Sequence, residues 1–353
     1  MGTPITKTIV GINGFGRFGL HLLKYWLDRN KEANFIVDYI NDDTLSIQDA
    51  YRIITSDRHV HFNKYKIQAK DNTLVILEPN GARHVIQYTH ENQFKIPWLG
   101  KPEMILECSG KNVVAKDCRF YLTDNVKRVI ISATSWDADQ TLVYGFNHKQ
   151  MKDSARVISY GSCTVNAYVP FADFLHKRYK IVDSDVNVIH SIQEYRLEEN
   201  QTLNRKFCTL EKSGPKLLDF IGPQNFVVNY TVVPYTGVSM IDFRFRIREK
   251  VAREILISDL EEAFTHGELK QLYDFDETDI GPEVYNCSTC STVFIRDQVK
   301  VLGDQVYFQG YFDTENSVNR YYDLINYILE QAVLEQSRVP EGRKTTINQV
   351  RIS

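Results

Sequence analysis

Lys7-Thr8-Ile9-Val10-Gly11-Ile12-Asn13-Gly14-Phe15-Gly16-Arg17-Phe18-Gly19 decides the architecture of the first half of the chain. Lys7–Ile12 predicts a short buried strand. Gly14–Gly19 follows at once and fits G-x-G-x-x-G. Leu20, Leu23, Tyr25, Trp26 and Leu27 then recur at helical spacing, and Asn34–Ile40 predicts a second strand that ends on Asn41-Asp42-Asp43. Strand, glycine turn, helix, strand and acid together form the context in which this motif binds a dinucleotide. Gly14 permits the tight turn, Gly16 lets the backbone approach a pyrophosphate, and Gly19 lets the helix pack close to the strand. Asp42, 23 residues after Gly19, can accept bonds from both ribose hydroxyls. Its charge would repel a 2′-phosphate, which favours NAD over NADP. The plainer reading of Asp42 as a turn residue leaves that context unexplained.

Outward from this unit the strand pattern continues. Lys66–Ala69, Leu74–Leu77 and His84–Tyr88 predict short strands between turn signals at Asp71-Asn72 and Pro79-Asn80-Gly81. Met104–Glu107 runs into Cys108-Ser109-Gly110, and Arg128–Ile131 runs into Ser132-Ala133-Thr134. Ligands of doubly wound sheets bind at the carboxyl ends of such strands, so Ser109, Gly110 and Ser132 are candidates to line a cofactor cleft. Small residues also end strands with no ligand near.

A second stretch, Gly161-Ser162-Cys163-Thr164-Val165-Asn166, precedes apolar residues at helical spacing that run to about Tyr179. Cys163 is therefore placed at a helix N-terminus, where backbone N–H groups and the helix dipole favour a thiolate. A small buried hydrophobe is the commoner fate of a free cysteine. Beyond it, Ser184–Ile192 predicts a strand with His190 on the face of Val186, Val188 and Ile192. A satisfied core histidine fits that pattern, and so does the imidazole of a thiol–imidazole pair. Phe226–Val233, Val238–Arg248, Thr292–Ile295, Gln298–Val301 and Gln305–Tyr311 predict further strands; Ile255–Tyr273 and Val318–Gln336 predict helices. Arg244, Arg246 and Arg248 on one face read as a solvated sheet surface.

At 353 residues the chain exceeds one ordinary core, which makes two domains the default. A net charge of −3 gives no general attraction to nucleic acid or to an anionic membrane. No apolar run reaches transmembrane length, and Met1–Thr8 lacks the apolar stretch of a signal peptide. Six cysteines in so long a chain read as reduced thiols, and the expected location is the cytoplasm. Cys287-x-x-Cys290 is half of a zinc pattern with no second pair, so no metal is expected.

These residues resemble the glyceraldehyde-3-phosphate dehydrogenase family over nearly the whole chain. Gly11–Arg17 is similar to its opening fingerprint, which extends the cofactor set to Asn13, Gly14, Phe15, Gly16, Arg17 and Phe18. Asn41-Asp42 matches its ribose-binding pair, and Glu107-Cys108-Ser109-Gly110 is similar to its Glu-Ser-Thr-Gly. Ser162-Cys163-Thr164-Val165-Asn166 resembles its nucleophile signature Ser-Cys-Thr-Thr-Asn. His190, 27 residues after Cys163, falls where the family's catalytic histidine falls. The resemblance implies an α/β fold. A Rossmann NAD-binding domain would span residues 1–162, completed by a C-terminal helix over 317–337. An α+β catalytic domain with a mixed, largely antiparallel sheet would span 163–316, and a polar tail 338–353. It implies NAD-dependent oxidation of a small aldehyde through a Cys163 thioester, with His190 as base. It also implies a homotetramer, with a homodimer as the alternative given a shortened loop after His190.

The departures from the family bear on substrate. The family's phosphate-gripping arginine is matched by Val232 and its phosphate-binding threonine by Gln193. Ser162, Thr164, Ser213 and Gly214 still match the site for attacking inorganic phosphate, and Arg196 or Arg205 could supply the missing charge. The nicotinamide-binding asparagine aligns best with Asp313, with Asn316 second. The resemblance thus leaves three expectations: the family reaction with phosphate or water as acyl acceptor, the same chemistry on another or non-phosphorylated sugar aldehyde, or an NAD-binding paralogue with impaired catalysis.

Overall fold

The computed structural model describes residues 7–192, 205–235, 237–315 and 317–338. Gln193, Arg196, Asn316 and the tail beyond Arg338, all named above, lie outside the described residues.

Among the described residues two sheets organise the chain. The first contains β1 (Thr8–Asn13), β2 (Phe35–Asn41), β3 (Lys66–Lys70), β4 (Thr73–Leu77) and β5 (Arg83–Thr89), followed by β6 (Met104–Glu107), β7 (Arg128–Ile131), β8 (Gln140–Thr141) and β9 (Val157–Ser159). Its order is β3-β4-β5-β2-β1-β6-β7-β9-β8. The run from β5 to β8 is parallel, and β3 and β4 add an antiparallel edge. Strands β1 and β6 read as continuous apolar runs because helices cover both faces of a parallel sheet.

The second sheet contains β10 (Ile181–Ser191), β11 (Phe226–Val233), β12 (Val238–Ile247), β13 (Tyr273–Asp276), β14 (Thr292–Ile295), β15 (Lys300–Leu302) and β16 (Gln305–Asp313). The order β11-β10-β12-β16-β14-β13 is mixed: β10–β11 and β13–β14 are parallel, and the remaining pairs are antiparallel. The arginines of β12 face Asp183 and Asp185 of β10: Arg244 Nε donates to Asp185 at 2.5 Å, and Arg246 pairs with Asp183. The basic face is thereby neutralised within the sheet.

The helices are α1 (Arg17–Asp28), α2 (Ile47–Ser56), α3 (Ala115–Cys118), α4 (Cys163–Tyr179), α5 (Leu210–Leu217), α6 (Arg253–Thr265) and α7 (Ser317–Arg338). Helix α7 returns to the first sheet, where Val318, Tyr321, Leu324, Ile325 and Ile328 join the core of β1, β2 and α1. The predicted helix over Ile255–Tyr273 is too long. It ends at Thr265, the N–H groups of His266 and Gly267 both bond to the Glu262 carbonyl, and Gln271 takes a φ of 63°. Tyr273 then begins an edge strand instead.

Helix α4 carries the second core, with Tyr168, Phe171 and Phe174 packed among Phe243, Phe245, Phe294 and Phe308. Pro170 sits inside it and offers no N–H to the carbonyl of Asn166. The buried Tyr273 hydroxyl fills this gap, donating to Ala167 O at 2.9 Å and Asn166 O at 3.3 Å. An edge strand of the second sheet therefore repairs the helix that begins at Cys163.

Candidate active site

The glycine turn is built as the motif requires. Gly14 has a φ of 97°, and a Cβ there would lie 2.3 Å from the Ser109 backbone. A Cβ on Gly19 would lie 2.2 Å from Gly14 O. A Cβ on Gly16 or Gly110 would meet nothing within 4 Å. The first two glycines are required by close packing, and the other two leave open backbone beside a cleft. Gly16 also forms the N-terminus of α1, where no side-chain cap satisfies the first N–H groups. That arrangement accepts an anionic pyrophosphate, so the residues present fit a bound dinucleotide.

The carboxyl ends of the parallel strands are tied by a buried chain of hydrogen bonds. Tyr121 Oη donates to Glu107 Oε2 (2.8 Å), and Asn13 Nδ2 donates to the same oxygen (2.8 Å). Asn41 Nδ2 donates to Asn13 Oδ1 (2.9 Å), Thr89 Oγ1 to Asn41 Oδ1 (2.8 Å), and Trp98 Nε1 to Thr89 Oγ1 (3.0 Å). The side chains of Asn13 and Asn41 are thus committed to the scaffold. Asp42 is largely buried; Phe15 N donates to its Oδ2 at 2.6 Å, and Thr44 N and Leu45 N donate to its Oδ1 at 2.8 Å. The acid pins the glycine turn to the end of β2. Oδ2, which accepts a single N–H, keeps a lone pair for a ribose hydroxyl.

A cleft of ≈ 530 Å³ separates the two sheets. The first domain lines it with Gly16, Arg17, Phe18, Ser109, Gly110 and Ser132. The facing wall includes His190, Tyr230 and Val232 from β10 and β11, Asp313 from β16, and Thr314 and Glu315 beyond it. Cys163 opens α4 beside this wall. Gly161 takes a φ of 91°, and Ser162 caps the helix by accepting a bond from Val165 N. The Cys163 Sγ lies 3.5 Å from His190 Nε2. His190 Nδ1–H donates to the Ser191 carbonyl at 2.7 Å; a carbonyl only accepts, so the bond assigns a proton to Nδ1 and turns Nε2 toward the sulfur.

The helix N-terminus does not produce a resting thiolate. Burial pushes the Cys163 thiol up to about 12, and the neighbouring Cys208 adds to the shift. The N–H groups of Thr164 and Cys163 pull the other way and are outweighed. Desolvation penalises a charged sulfur more than two peptide dipoles stabilise it. The thiol therefore rests protonated, and charge appears on the sulfur only as its proton moves.

Some residues expected at a phosphate site are placed elsewhere. Ser213 and Gly214 lie within α5 and are buried, and a Cβ on Gly214 would touch the Phe226 ring at 3.0 Å. The hydroxyl that reaches the nucleophile's cap is that of Thr209, which donates to Ser162 Oγ at 2.8 Å. Thr164 Oγ1 faces Cys208 Sγ at 3.4 Å. Arg205 turns outward, to Glu211 (3.2 Å) and the Val228 carbonyl (3.0 Å). Its neighbour Lys206 bonds through its N–H to Tyr230 O and lines the cleft, as does Phe207. Val232 pairs in register with His190 and is buried. Sequence reasoning missed Lys206, Tyr230 and Thr314. Side-chain alternation in an extended segment links the outward Arg205 to an inward Lys206.

Cys287 Sγ donates to the His59 carbonyl at 3.1 Å, no disulfide joins any of the six cysteines, and no cluster of three or more metal-ligating side chains occurs among the described residues. No helix of the described residues is long and apolar enough to cross a membrane.

Residues 8–114 match the family described as "Glyceraldehyde 3-phosphate dehydrogenase, NAD binding domain". Glyceraldehyde-3-phosphate dehydrogenase 1 of Bacillus cereus is 28% identical over 346 residues, covering 92% of this chain and 100% of the relative. The cytosolic glyceraldehyde-3-phosphate dehydrogenase of Pisum sativum is 26% identical over 349 residues, covering 92% and 99%. That of Geobacillus stearothermophilus is 27% identical over 343 residues, again covering 92% and 99%. The glycine turn, the acid after β2 and the parallel sheet are features of a Rossmann domain, and the similarity to these relatives covers 92% of the chain. The chain is therefore similar to glyceraldehyde-3-phosphate dehydrogenases over most of its length, and its first domain matches their NAD-binding domain.

Proposed function

We propose that the protein oxidises a small aldehyde through a covalent Cys163 thioester, with His190 moving the protons. The observation that carries this reading is the 3.5 Å approach of Cys163 Sγ to an imidazole nitrogen whose partner nitrogen is fixed by a carbonyl. Bound NAD supplies the hydride acceptor. The groups of Gly14–Phe18, Asp42, Ser109 and Gly110 would hold it across the cleft.

The chain's own residues account for the proton steps. As Sγ bonds to the aldehyde carbon, the thiol proton passes to His190 Nε2 and the carbonyl π electrons move to oxygen. The oxyanion is stabilised by the Cys163 N–H at the start of α4 and by the imidazolium. His190 returns its proton to that oxygen to give a thiohemiacetal. It removes the same proton again as the carbon loses hydride, leaving a thioester. Water or phosphate then attacks the acyl carbon, and the departing sulfur regains a proton from His190. The raised thiol pKa makes His190 obligatory, since the sulfur alone does not ionise near neutral pH.

The substrate favoured by the cleft is an aldehyde other than glyceraldehyde 3-phosphate. Val232 adds no charge where the family places an arginine, and Arg205 is engaged on the outer side. Lys206 is the basic side chain that the described part of β11's neighbour segment brings to the catalytic side of the cleft. An aldehyde panel, phosphorylated and not, read by NADH absorbance with and without inorganic phosphate, tests both parts. Undiminished NADH formation by Cys163→Ala with any productive aldehyde would rule out the thioester route.

A further inference from the structure

Two large aromatic rings beside the cleft are left unburied by folding. Trp136 is 47% exposed and Phe207 is 52% exposed. Phe207 lines the cleft next to Lys206, and Trp136 comes from the first domain, in the loop between β7 and β8. Lys212 joins them: its Nζ lies 5.3 Å from the centre of the Phe207 ring and 6.0 Å from that of Trp136. Lys216 Nζ lies 4.7 Å from the centre of the Trp136 ring. The two lysines stand one turn apart on the exposed face of α5, whose other face buries Leu210, Ser213 and Gly214.

The backbone on both sides of Trp136 is anchored. Ser135 N donates to Ser159 Oγ at 3.2 Å, and Asp137 accepts from Ala115 N at 2.8 Å and Lys116 N at 2.9 Å. Those bonds commit Asp137, and Glu211 is turned to Arg205 at 3.2 Å and to Cys208 N at 3.0 Å. Neither acid is left to neutralise the lysines. Like charges four residues apart on a helix repel, and an ammonium over an exposed ring recovers little of that cost. A ligand that is flat and anionic removes both penalties, because its ring covers the aromatics and its anion pairs with the ammonium groups. The nucleophile is close. Phe207 stands two residues before Thr209, whose hydroxyl donates to Ser162 Oγ at 2.8 Å, and Ser162 precedes Cys163. Two extended residues span about 7 Å, which puts the rings roughly 10 Å from the sulfur.

We propose that Trp136, Phe207, Lys212 and Lys216 form a subsite for the far end of the aldehyde substrate, and that this end is a planar ring bearing an anionic group. The proposal rests on the reading of Cys163 as the nucleophile. The substrate is then an elongated aryl aldehyde whose carbonyl meets Cys163 while its anion meets the two lysines. Lys206, which lines the cleft, adds to the same positive field.

Trp136 reports on this subsite directly, because the other two tryptophans of the chain, Trp26 and Trp98, are buried. Tryptophan emission of the full chain is titrated with 4-nitrobenzoate, and with 4-nitrobenzyl alcohol as the uncharged control, in wild type and in the double variant Lys212→Gln/Lys216→Gln. The expected result is saturable quenching by the carboxylate at least about tenfold tighter than by the alcohol, falling to about twofold or less in the double variant. Equal affinity of wild type for the two compounds overturns the proposal, and so does a preference that survives the double variant. Kinetics then tests whether the subsite serves the reaction. For wild type, kcat/KM for 3-(4-carboxyphenyl)propanal should exceed that for 3-phenylpropanal by about tenfold, through KM. The double variant should remove the difference and leave 3-phenylpropanal unchanged. Equal turnover of the two aldehydes by wild type, or turnover of neither, overturns the assignment to substrate even where quenching is selective. Undiminished turnover by Cys163→Ala instead defeats the thioester reading and leaves the subsite standing.

Discussion

Replacing His190 by asparagine isolates the chemistry of the thiol. Burial holds the Cys163 thiol near a pKa of about 12. At pH 7.5 a lone thiol of that pKa is ionised in roughly three molecules per 10⁵. A raised thiol pKa keeps the neutral form dominant at every pH below it, so unaided reactivity climbs about tenfold per pH unit until the pKa is reached. With His190 Nε2 3.5 Å away, the proton has a local destination. Reaction with iodoacetamide then goes through the pair, and its rate levels off once the imidazole is neutral. In His190→Asn the side-chain amide can still donate to the Ser191 carbonyl, but nothing accepts the thiol proton.

The expected outcome is a loss of at least about 100-fold in the alkylation rate at Cys163 near pH 7.5. The variant's profile should lack the plateau and rise steadily with pH. Mass spectrometry of the Cys163 peptide after timed exposure at several pH values reads both quantities. Cys108 and Cys118, raised by burial and without an imidazole partner, serve as internal controls. If His190→Asn reacts within about threefold of wild type at pH 7.5, the helix N-terminus alone supports the thiolate and the protonated resting thiol is wrong.

Three further outcomes are expected. Wild type should bind NAD more tightly than NADP in calorimetric titration, because Asp42 is fixed by three N–H bonds and cannot swing away from a 2′-phosphate; equal or tighter NADP binding would refute this. Tyr273→Phe should lower stability to urea by about 1–3 kcal/mol, since it leaves the Asn166 carbonyl above Pro170 without its donor. A change below about 0.3 kcal/mol would show that the hydroxyl does not repair α4. Glyceraldehyde 3-phosphate should be a poor substrate, with kcat/KM below about 10⁵ M⁻¹s⁻¹. If it is efficient instead, Lys206→Ala should abolish that efficiency, whereas Arg205→Ala should not.

Much of the fold was legible because its strands are bounded by strong local signals. Met104–Glu107, Arg128–Ile131, Phe226–Val233 and Thr292–Ile295 form over the ranges their composition predicts. What escaped were elements whose local signals conflict with their tertiary setting. Helix α5 contains Gly214-Pro215, a breaker pair, yet packing against Phe226 and Ile221 requires a residue without a side chain there. Helix α2 announces itself only through a capping box, in which Ser46 Oγ accepts from Asp49 N and Ser46 N donates to Asp49 Oδ2. Strand β13 follows a sharp turn after α6, so a helical apolar pattern ran on through it.

The same distinction governs the site. Cys163, His190, Val232 and Asp313 lie in or at the ends of regular elements, and the register of those elements carries each side chain to a definite place. Arg205 and Lys206 lie in a short extended segment tied to β11 by a single bridge at Thr231, and Ser213 and Gly214 lie in α5 after it. A shift of one residue there exchanges the inward and outward side chains. This is how Arg205 meets Glu211 while Lys206 enters the cleft. It is also how Thr209 reaches Ser162 while Ser213 is buried four positions on. Motif spacing therefore points to the proposed nucleophile and base at places that regular elements fix, whereas the groups proposed to choose the substrate depend on which way a short segment turns.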